Sequence, residues 1–380
     1  MRQLQPVLWT KGVLLSPQHL QTQDRYLEDL LAVQLSVLAF HPWGFSRLAL
    51  DRDQLAGGVV KVTDAAGIFP DGLLFDVPGA DAPPPHRSLQ DAFAPGREWL
   101  DLFLALPEYG RGQHSIGSGG GNGTTRYMAE LVDRRDEVTG YGEKPIQVVR
   151  RNFRLLFEGE PQEGYAVLPL ARVRRTTSGA FLYDQDFVPP LLDVGASERL
   201  MGLARRLLEI LAARSGALAA MRRQKNRGLA DFGVTDVANF WLLYTIDTHL
   251  PVVRHLFETR RGHPAELYEA LVALAGALTT FSDEIGPGDL PAYAHDRLGD
   301  CFATLDAQLR RLLETVVPAY CVSVPLERTE EPTIHAASIE QDRYLQGPQI
   351  FLAVRADEAT PGDLARRGPQ LLKVGAVSTV

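Results

Sequence analysis

Asp186-Phe187-Val188-Pro189-Pro190 is the stretch at which this chain changes texture, and the change decides the fold class. Upstream, short segments rich in β-branched and aromatic residues alternate with Gly, Pro and Asp. Downstream, leucines recur at helical spacing. A double proline cannot continue a strand ladder or a helix interior, so it marks a boundary between two kinds of structure.

Working back from that boundary, strands are expected at Leu48 to Leu50, Val59 to Thr63, Trp99 to Leu106, Tyr127 to Asp133, Ile146 to Val149, Phe153 to Phe157 and Tyr165 to Arg172. Gly57-Gly58, Pro70-Asp71-Gly72, Pro83-Pro84-Pro85, Pro95-Gly96 and Gly159 punctuate them. Short strands with such turns predict a β-rich, sandwich-like part over residues 1–190. One helix interrupts it. Ser16 reads as an N-cap with Pro17 at the first helical position. Leu20, Leu27, Leu30, Leu31 and Leu35 follow near helical spacing, and His41-Pro42 ends the run.

Working forward, four amphipathic stripes predict a helical bundle over 191–317. They are Leu200, Leu203, Leu207, Leu208 and Leu211 after Ser197; Val237, Phe240, Trp241, Tyr244 and Leu250 after Thr235; Leu267, Leu271, Leu274 and Leu278 after Pro264; and Leu298, Phe302, Leu305, Leu309, Leu312 and Leu313. Past Pro318 the texture returns to strands, at Tyr320 to Val324, Gln349 to Val354 and Gln370 to Val374. Residues 318–380 thus form a third, small α/β part, too short for a sizeable core of its own. The fold class is α+β with three parts.

The composition excludes several functions. The chain has 380 residues, 45% of them hydrophobic, which suits two or three globular domains rather than a disordered chain. With 39 basic against 47 acidic residues the net charge is −8, so there is no electrostatic drive toward a nucleic-acid backbone. The two cysteines, Cys301 and Cys321, match no metal-ligand spacing and no disulfide framework, which points to a reducing, cytoplasmic setting. No apolar stretch reaches the roughly 20 residues of a bilayer span, so direct membrane insertion is not expected.

No catalytic, cofactor or metal site is expected either. The run Gly117-Ser118-Gly119-Gly120-Gly121-Asn122-Gly123 leads into Thr124-Thr125-Arg126-Tyr127, which resembles a strand entry, and lacks the lysine of a nucleotide loop. His19, His41, His114 and His295 lie in no HExxH pattern, and no serine lies in GxSxG. His295-Asp296 and Asp283-Glu284 read as solvated loop charge. Arg222-Arg223-Gln224-Lys225-Asn226-Arg227 reads as the cationic end of a helix.

The opening Val7-Leu8-Trp9-Thr10-Lys11-Gly12-Val13-Leu14-Leu15-Ser16-Pro17-Gln18-His19-Leu20-Gln21-Thr22-Gln23-Asp24-Arg25-Tyr26 resembles the N-terminal signature of the TssK family, also called ImpJ or VasE. His41-Pro42-Trp43-Gly44, Pro70-Asp71-Gly72, Asp186-Phe187-Val188-Pro189-Pro190 and Phe351-Leu352-Ala353-Val354-Arg355-Ala356-Asp357 fit the same family in the same order. The resemblance implies a structural baseplate subunit of the type VI secretion system. It implies a cytoplasmic homotrimer whose N-terminal domain, similar to the shoulder of phage receptor-binding proteins, engages the TssF and TssG wedge. Its C-terminal domain would meet the cytoplasmic parts of TssL and TssM, which brings it to the inner membrane only through partners. Trp9, Gly12, Pro17, Gln18, His19, Asp24 and Arg25 are the motif positions expected to serve folding or partner contact. In the family the C-terminal domain continues past the match to Leu371-Leu372-Lys373-Val374-Gly375, so this one is expected to be incomplete, with weakened membrane-complex docking. Two other readings remain: a receptor- or carbohydrate-binding module with aromatics on a concave face, and a hydrolase in which His19 or His41 meets carboxylates in a pocket.

Overall fold

A computed structural model describes residues 2–90, 92–93, 96–109, 115–117, 125–225, 234–314, 326–329, 335–337 and 375, without the side chains of 224–225 and 234–236. The chain divides into two compact units, Met1–Val317 and Pro318–Val380. Both kinds of element are present, with six helices and several small sheets among the described residues.

The first unit opens with an extended arm and helix α1, Pro17–Leu38. The strands follow: β1 Gly44–Leu50, β2 Val59–Val60, β3 Val62–Ile68, β4 Leu74–Val77, β5 Arg87–Ser88, β6 Trp99–Pro107, β7 Ile116–Gly117, β8 Tyr127–Arg135, β9 Glu143–Arg151, β10 Arg154–Phe157, β11 Tyr165–Arg175 and β12 Phe181–Tyr183, with a short helix α2, Arg52–Ala56, between β1 and β2. They form sheets ordered β1-β3-β4, β10-β6-β11-β12, β7-β8-β9 and β2-β5. Alternation sets their inner faces. In β6 the buried leucines Leu100, Leu102, Leu104 and Leu106 alternate and meet Leu168 and Leu170 of β11 in one core. Every strand expected upstream of Pro189 has a counterpart here; β4, β5, β7 and β12 are additional.

Strands β8 and β9 pair through nine residues and run outward as a ribbon. Beyond Glu130 little of it is buried, and its turn carries exposed Val138 and Tyr141.

The helices are α3 Glu198–Lys225, α4 Val234–Thr259, α5 Pro264–Thr279 and α6 Leu298–Glu314. Each packs on the next, and α6 returns to α3. Their starts follow local chemistry. The Ser197 hydroxyl accepts from Leu200 N–H at the head of α3, and His263 caps α5 with Pro264 in its first turn. The expected stripes of α5 and α6 are buried in full. The stripe read for α4 is corrected: Val237, Phe240, Trp241 and Tyr244 are exposed, while Leu242, Leu243, Ile246 and Val253 face the core. This helix is apolar on two sides, so periodicity alone fits either one.

The double-proline stretch works as a joint. Phe45 N–H donates to the Pro190 carbonyl at 2.9 Å, and Leu192 N–H donates to that of Phe45 at 2.9 Å. Gly44, at φ +126°, lets the chains approach so closely that a Cβ there would lie 2.7 Å from the Pro190 carbonyl carbon. Thus His41-Pro42-Trp43-Gly44 and Asp186-Phe187-Val188-Pro189-Pro190, about 145 residues apart, meet where sheet gives way to helix.

In the second unit β13, Glu327–Arg328, pairs antiparallel with β14, His335–Ala336. The strands expected at 320–324, 349–354 and 370–374 lie outside the described residues. So do His114, Cys321, residues 118–123 of the glycine run, and the side chains of 224–227 in the basic run.

Candidate interaction surface

The motif Val7 to Tyr26 forms the arm and the first turns of α1. Thr10 to Val13 make a tight turn closed by Val13 N–H to the Thr10 carbonyl at 3.3 Å, and Gly12 supplies the φ of +88° that this turn needs. At the helix start, Ser16 N–H donates to Nδ1 of His19 at 3.3 Å, and the Ser16 hydroxyl lies 2.8 Å from the same nitrogen. A backbone N–H can only donate, so Nδ1 is the acceptor and His19 fills the return half of a capping box. Trp9 lies against His19, with ring centroids 6.0 Å apart, and Gln3 N–H donates to the Asp29 carboxylate. Gln3 meeting Asp29 and Trp9 meeting His19 show the arm running antiparallel along the helix.

Only one side of α1 packs on the sheets. Its single buried residue, Ala32, rests on Gly72 of the Pro70-Asp71-Gly72 turn. About two turns earlier the Arg25 guanidinium covers the Tyr109 ring, 3.0 Å from its centroid. Tyr109 donates its hydroxyl to that of Tyr127 at 2.9 Å, and burial pushes its pKa well above the usual phenol value. Buried Arg126 donates to the Pro107 carbonyl at 2.9 Å and to the Asp71 carboxylate at 2.7 Å. Asp71 also accepts from Leu73 N–H at 3.1 Å, which fixes the turn. Arg25, Tyr109, Arg126, Asp71, Gly72 and Ala32 therefore make one connected support under the helix.

The other side of α1 faces water. Leu20, Leu27, Leu31, Leu35 and Leu38 are all exposed, Leu31 at 59%. At 100° per residue they fall in one stripe, opposite Arg25, Asp29, Ala32 and Val33. The leucine run that marks α1 in the sequence is thus the outer face. Steps of four and three residues join Leu20, Asp24, Leu27, Leu31, Gln34 and Leu38, the spacing of a coiled-coil seam interrupted by two polar positions. Exposed Leu8, Trp9, Leu14 and Leu15 of the arm enlarge the apolar surface. A monomeric soluble protein seldom exposes a patch of this extent.

The motif residues separate by role. Arg25 and His19 hold the helix, Pro17 and Gly12 set the backbone, and Trp9 flanks the cap. Gln18 and Asp24 are exposed, Asp24 on the leucine side. Tyr109 and Arg126 are the supporting residues that motif reading missed; a lone tyrosine beside a loop carries no sequence signal.

Two expectations about histidines change. The hydrolase reading needs His19 or His41 against a carboxylate, but His19 is engaged by Ser16 and Trp9, His41 stacks on His295, and among the described residues no carboxylate hydrogen-bonds to either ring. His295 is not solvated loop charge: it is 3% exposed and stacked between His41 and His263. Its apolar neighbours Trp43 and Tyr293 come from elsewhere in the chain and the preceding loop, which the dipeptide His295-Asp296 does not reveal. Among the described residues no group of three or more His, Cys, Asp or Glu is placed to hold a metal, and no helix is long and apolar enough to cross a membrane. The tightest run of exposed aromatics, Phe240, Trp241 and Tyr244, lies along a helix rather than in a concave sheet face.

Comparison with known proteins agrees with this architecture. A family of bacterial type VI secretion proteins, described as VC_A0110, EvfL, ImpJ and VasE, matches residues 19–380. The type VI secretion system baseplate component TssK1 of Pseudomonas aeruginosa (strain PAO1) is 33% identical over 378 residues, covering 98% of this chain and 83% of the relative. A chain of the TssK-TssF-TssG baseplate subcomplex solved by cryo-electron microscopy superposes with a TM-score of 0.73 at 31% identity, over 82% of this chain and 99% of that one. A crystal structure of TssK superposes at 0.76 and 27% identity, over 90% and 76%. With the signature arm, its capped helix and the sheet-to-helix joint all in place, the chain belongs to the TssK (ImpJ/VasE) family of type VI secretion baseplate components.

Proposed function

We propose that this chain is a structural subunit of a type VI secretion baseplate that acts as a cytoplasmic homotrimer. Its residues 1–190 engage a TssF/TssG wedge, residues 191–317 form a helical spacer, and residues 318–380 meet the cytoplasmic parts of TssL and TssM, so that it reaches the inner membrane through those partners. The observation that supports the trimer is the outward leucine face of α1, which a single chain leaves in water. Full burial of each leucine is worth about 2 kcal/mol, so three copies that share the seam gain enough to offset the cost of association. A trimer then presents each weak docking surface three times, and effective concentration turns modest contacts into firm attachment. The TssF/TssG reading rests on the likeness to a chain of the TssK-TssF-TssG subcomplex.

The test is sedimentation of the purified chain at micromolar concentration, followed by co-purification with a TssF–TssG pair and, separately, with soluble TssL and TssM domains. The expected result is a three-copy mass and capture of each pair. A single-copy mass overturns the trimer. Failure to retain TssF–TssG, or to retain TssL and TssM, overturns the corresponding half of the adaptor.

A further inference from the structure

Three imidazoles lie in a column at the sheet-to-helix joint. His295 is sandwiched between His41 and His263, with centroids 5.1 and 5.0 Å away and planes inclined by only 8° and 13°. His41 belongs to the link between α1 and β1, His263 heads α5, and His295 opens the 3-10 turn His295–Arg297 just before α6. We propose that this stack is an acid-sensitive latch that holds the link around residues 40–43 against the helices and releases it when an imidazole of the column takes up a proton.

The hydrogen bonds define the closed state. Nε2 of His295 lies 2.8 Å from the Trp43 carbonyl, and Nε2 of His263 lies 3.3 Å from that of His41. Carbonyls only accept, so both rings carry their proton on Nε2. Nδ1 of His263 accepts from Ala265 N–H at 3.2 Å, and Nδ1 of His295 faces the Tyr293 hydroxyl at 2.8 Å. The two bonds to carbonyls tie the link to the helical elements. A proton added to Nδ1 of His263 would confront an N–H donor and abolish the cap of α5. A proton added to Nδ1 of His295 would oblige Tyr293 to turn its hydroxyl round and would place a charge between two rings.

Among the described residues no carboxylate hydrogen-bonds to any of the three rings to relieve that charge. The groups acting on the column are Glu266 of α5 on His263, Asp296 on His295, and the histidines on one another; Cys301 of α6 acts on Tyr293 beside them. Burial, opposed in part by the bond to Trp43, depresses His295 to about 4, and burial also lowers His263. The sign follows. The released form takes up protons near pH 6.5 and the closed form only at lower pH, so the latch is at full strength above about pH 6.5 and weakens as the pH falls toward about 4.

Hydrogen–deuterium exchange on the full chain at pH 7.5 and 5.0, corrected for intrinsic exchange, reads the latch directly. Protection of the Trp43 and Phe45 amides should fall on the order of tenfold at pH 5.0. Amides of β6 and β11 should hold theirs. His263→Asn keeps a good N-cap, and His295→Gln keeps one donor and one acceptor. Each should flatten the fall. Equal protection at the two pH values, a fall spread evenly over the chain, or an undiminished fall in both variants would overturn the latch.

Discussion

Gly72 and Ala32 are in such close approach that a methyl group on the glycine would come within 2.5 Å of the alanine Cβ. The contact joins a turn of the β-rich part to the only buried residue of α1, and Gly72 holds φ at +93°. Gly72→Ala therefore adds backbone strain to a clash in the same place. A loss of about 2 kcal/mol is expected, read as a lower urea midpoint. Loss of α1 protection in hydrogen exchange should accompany it. Wild-type stability in this variant would show that the helix is not seated on the turn.

The outer side of α1 should behave in the opposite way. Leu27→Glu with Leu31→Glu changes residues that face water in the single chain, so chain stability should move by less than about 0.5 kcal/mol. The solution mass should fall from the three copies proposed above to one, because the carboxylates of three chains would meet along the proposed seam. Unaltered mass would exclude α1 from the contact between copies.

Arg25 offers a graded test of the support. Arg25→Lys keeps the charge but loses the planar group over Tyr109, and Arg25→Ala loses both charge and cover. The alanine variant should cost about 1 kcal/mol, with the lysine variant between it and the parent in thermal unfolding.

Asp81 is fully buried and accepts from Asp76 N–H at 3.4 Å and from both the backbone N–H and the guanidinium of Arg151 at 3.3 Å. Asp81→Ala would leave these donors without their acceptor. A loss of about 3 kcal/mol is expected in urea unfolding. Less than about 1 kcal/mol would mean that water replaces the carboxylate without difficulty.

Glu160 gives a pH signature apart from the histidines. It accepts from Arg87 at 2.6 and 2.8 Å and from Phe157 N–H at 2.8 Å, and the Arg87 bonds hold its carboxyl below the ordinary value of 4.5. Since the folded pKa is the depressed one, its contribution is complete above about pH 4.5 and is lost as the pH falls below that. The pair is one-third exposed, so the contribution is about 1 kcal/mol. Glu160→Gln should remove that part of the acid limb in stability-versus-pH curves measured below pH 5.

Much of this was readable from residue pattern. The strands of the β-rich part, the start of α1 at Ser16-Pro17, and the buried faces of α5 and α6 follow from periods of two and 3.6 with punctuating Gly and Pro. Two faces did not. In α1 the leucine stripe reports an apolar side without saying what covers it, and here Ala32 and Arg25 do the packing. In α4 the aromatics Phe240, Trp241 and Tyr244 compete with an equally periodic aliphatic set, and the neighbouring helices choose the latter. The His41–His295–His263 column was illegible for another reason: His41 lies more than 200 residues from the other two, and they meet only in the folded chain.

The β8–β9 ribbon has a practical use. Nine residues per strand project about 30 Å from end to end, and the Gly140-Tyr141-Gly142 turn offers a protease an accessible backbone without disturbing the buried sheets. Cleavage there makes the molecule its own footprinting reagent: a partner that settles near the ribbon lengthens its lifetime, and one that docks elsewhere leaves it unchanged.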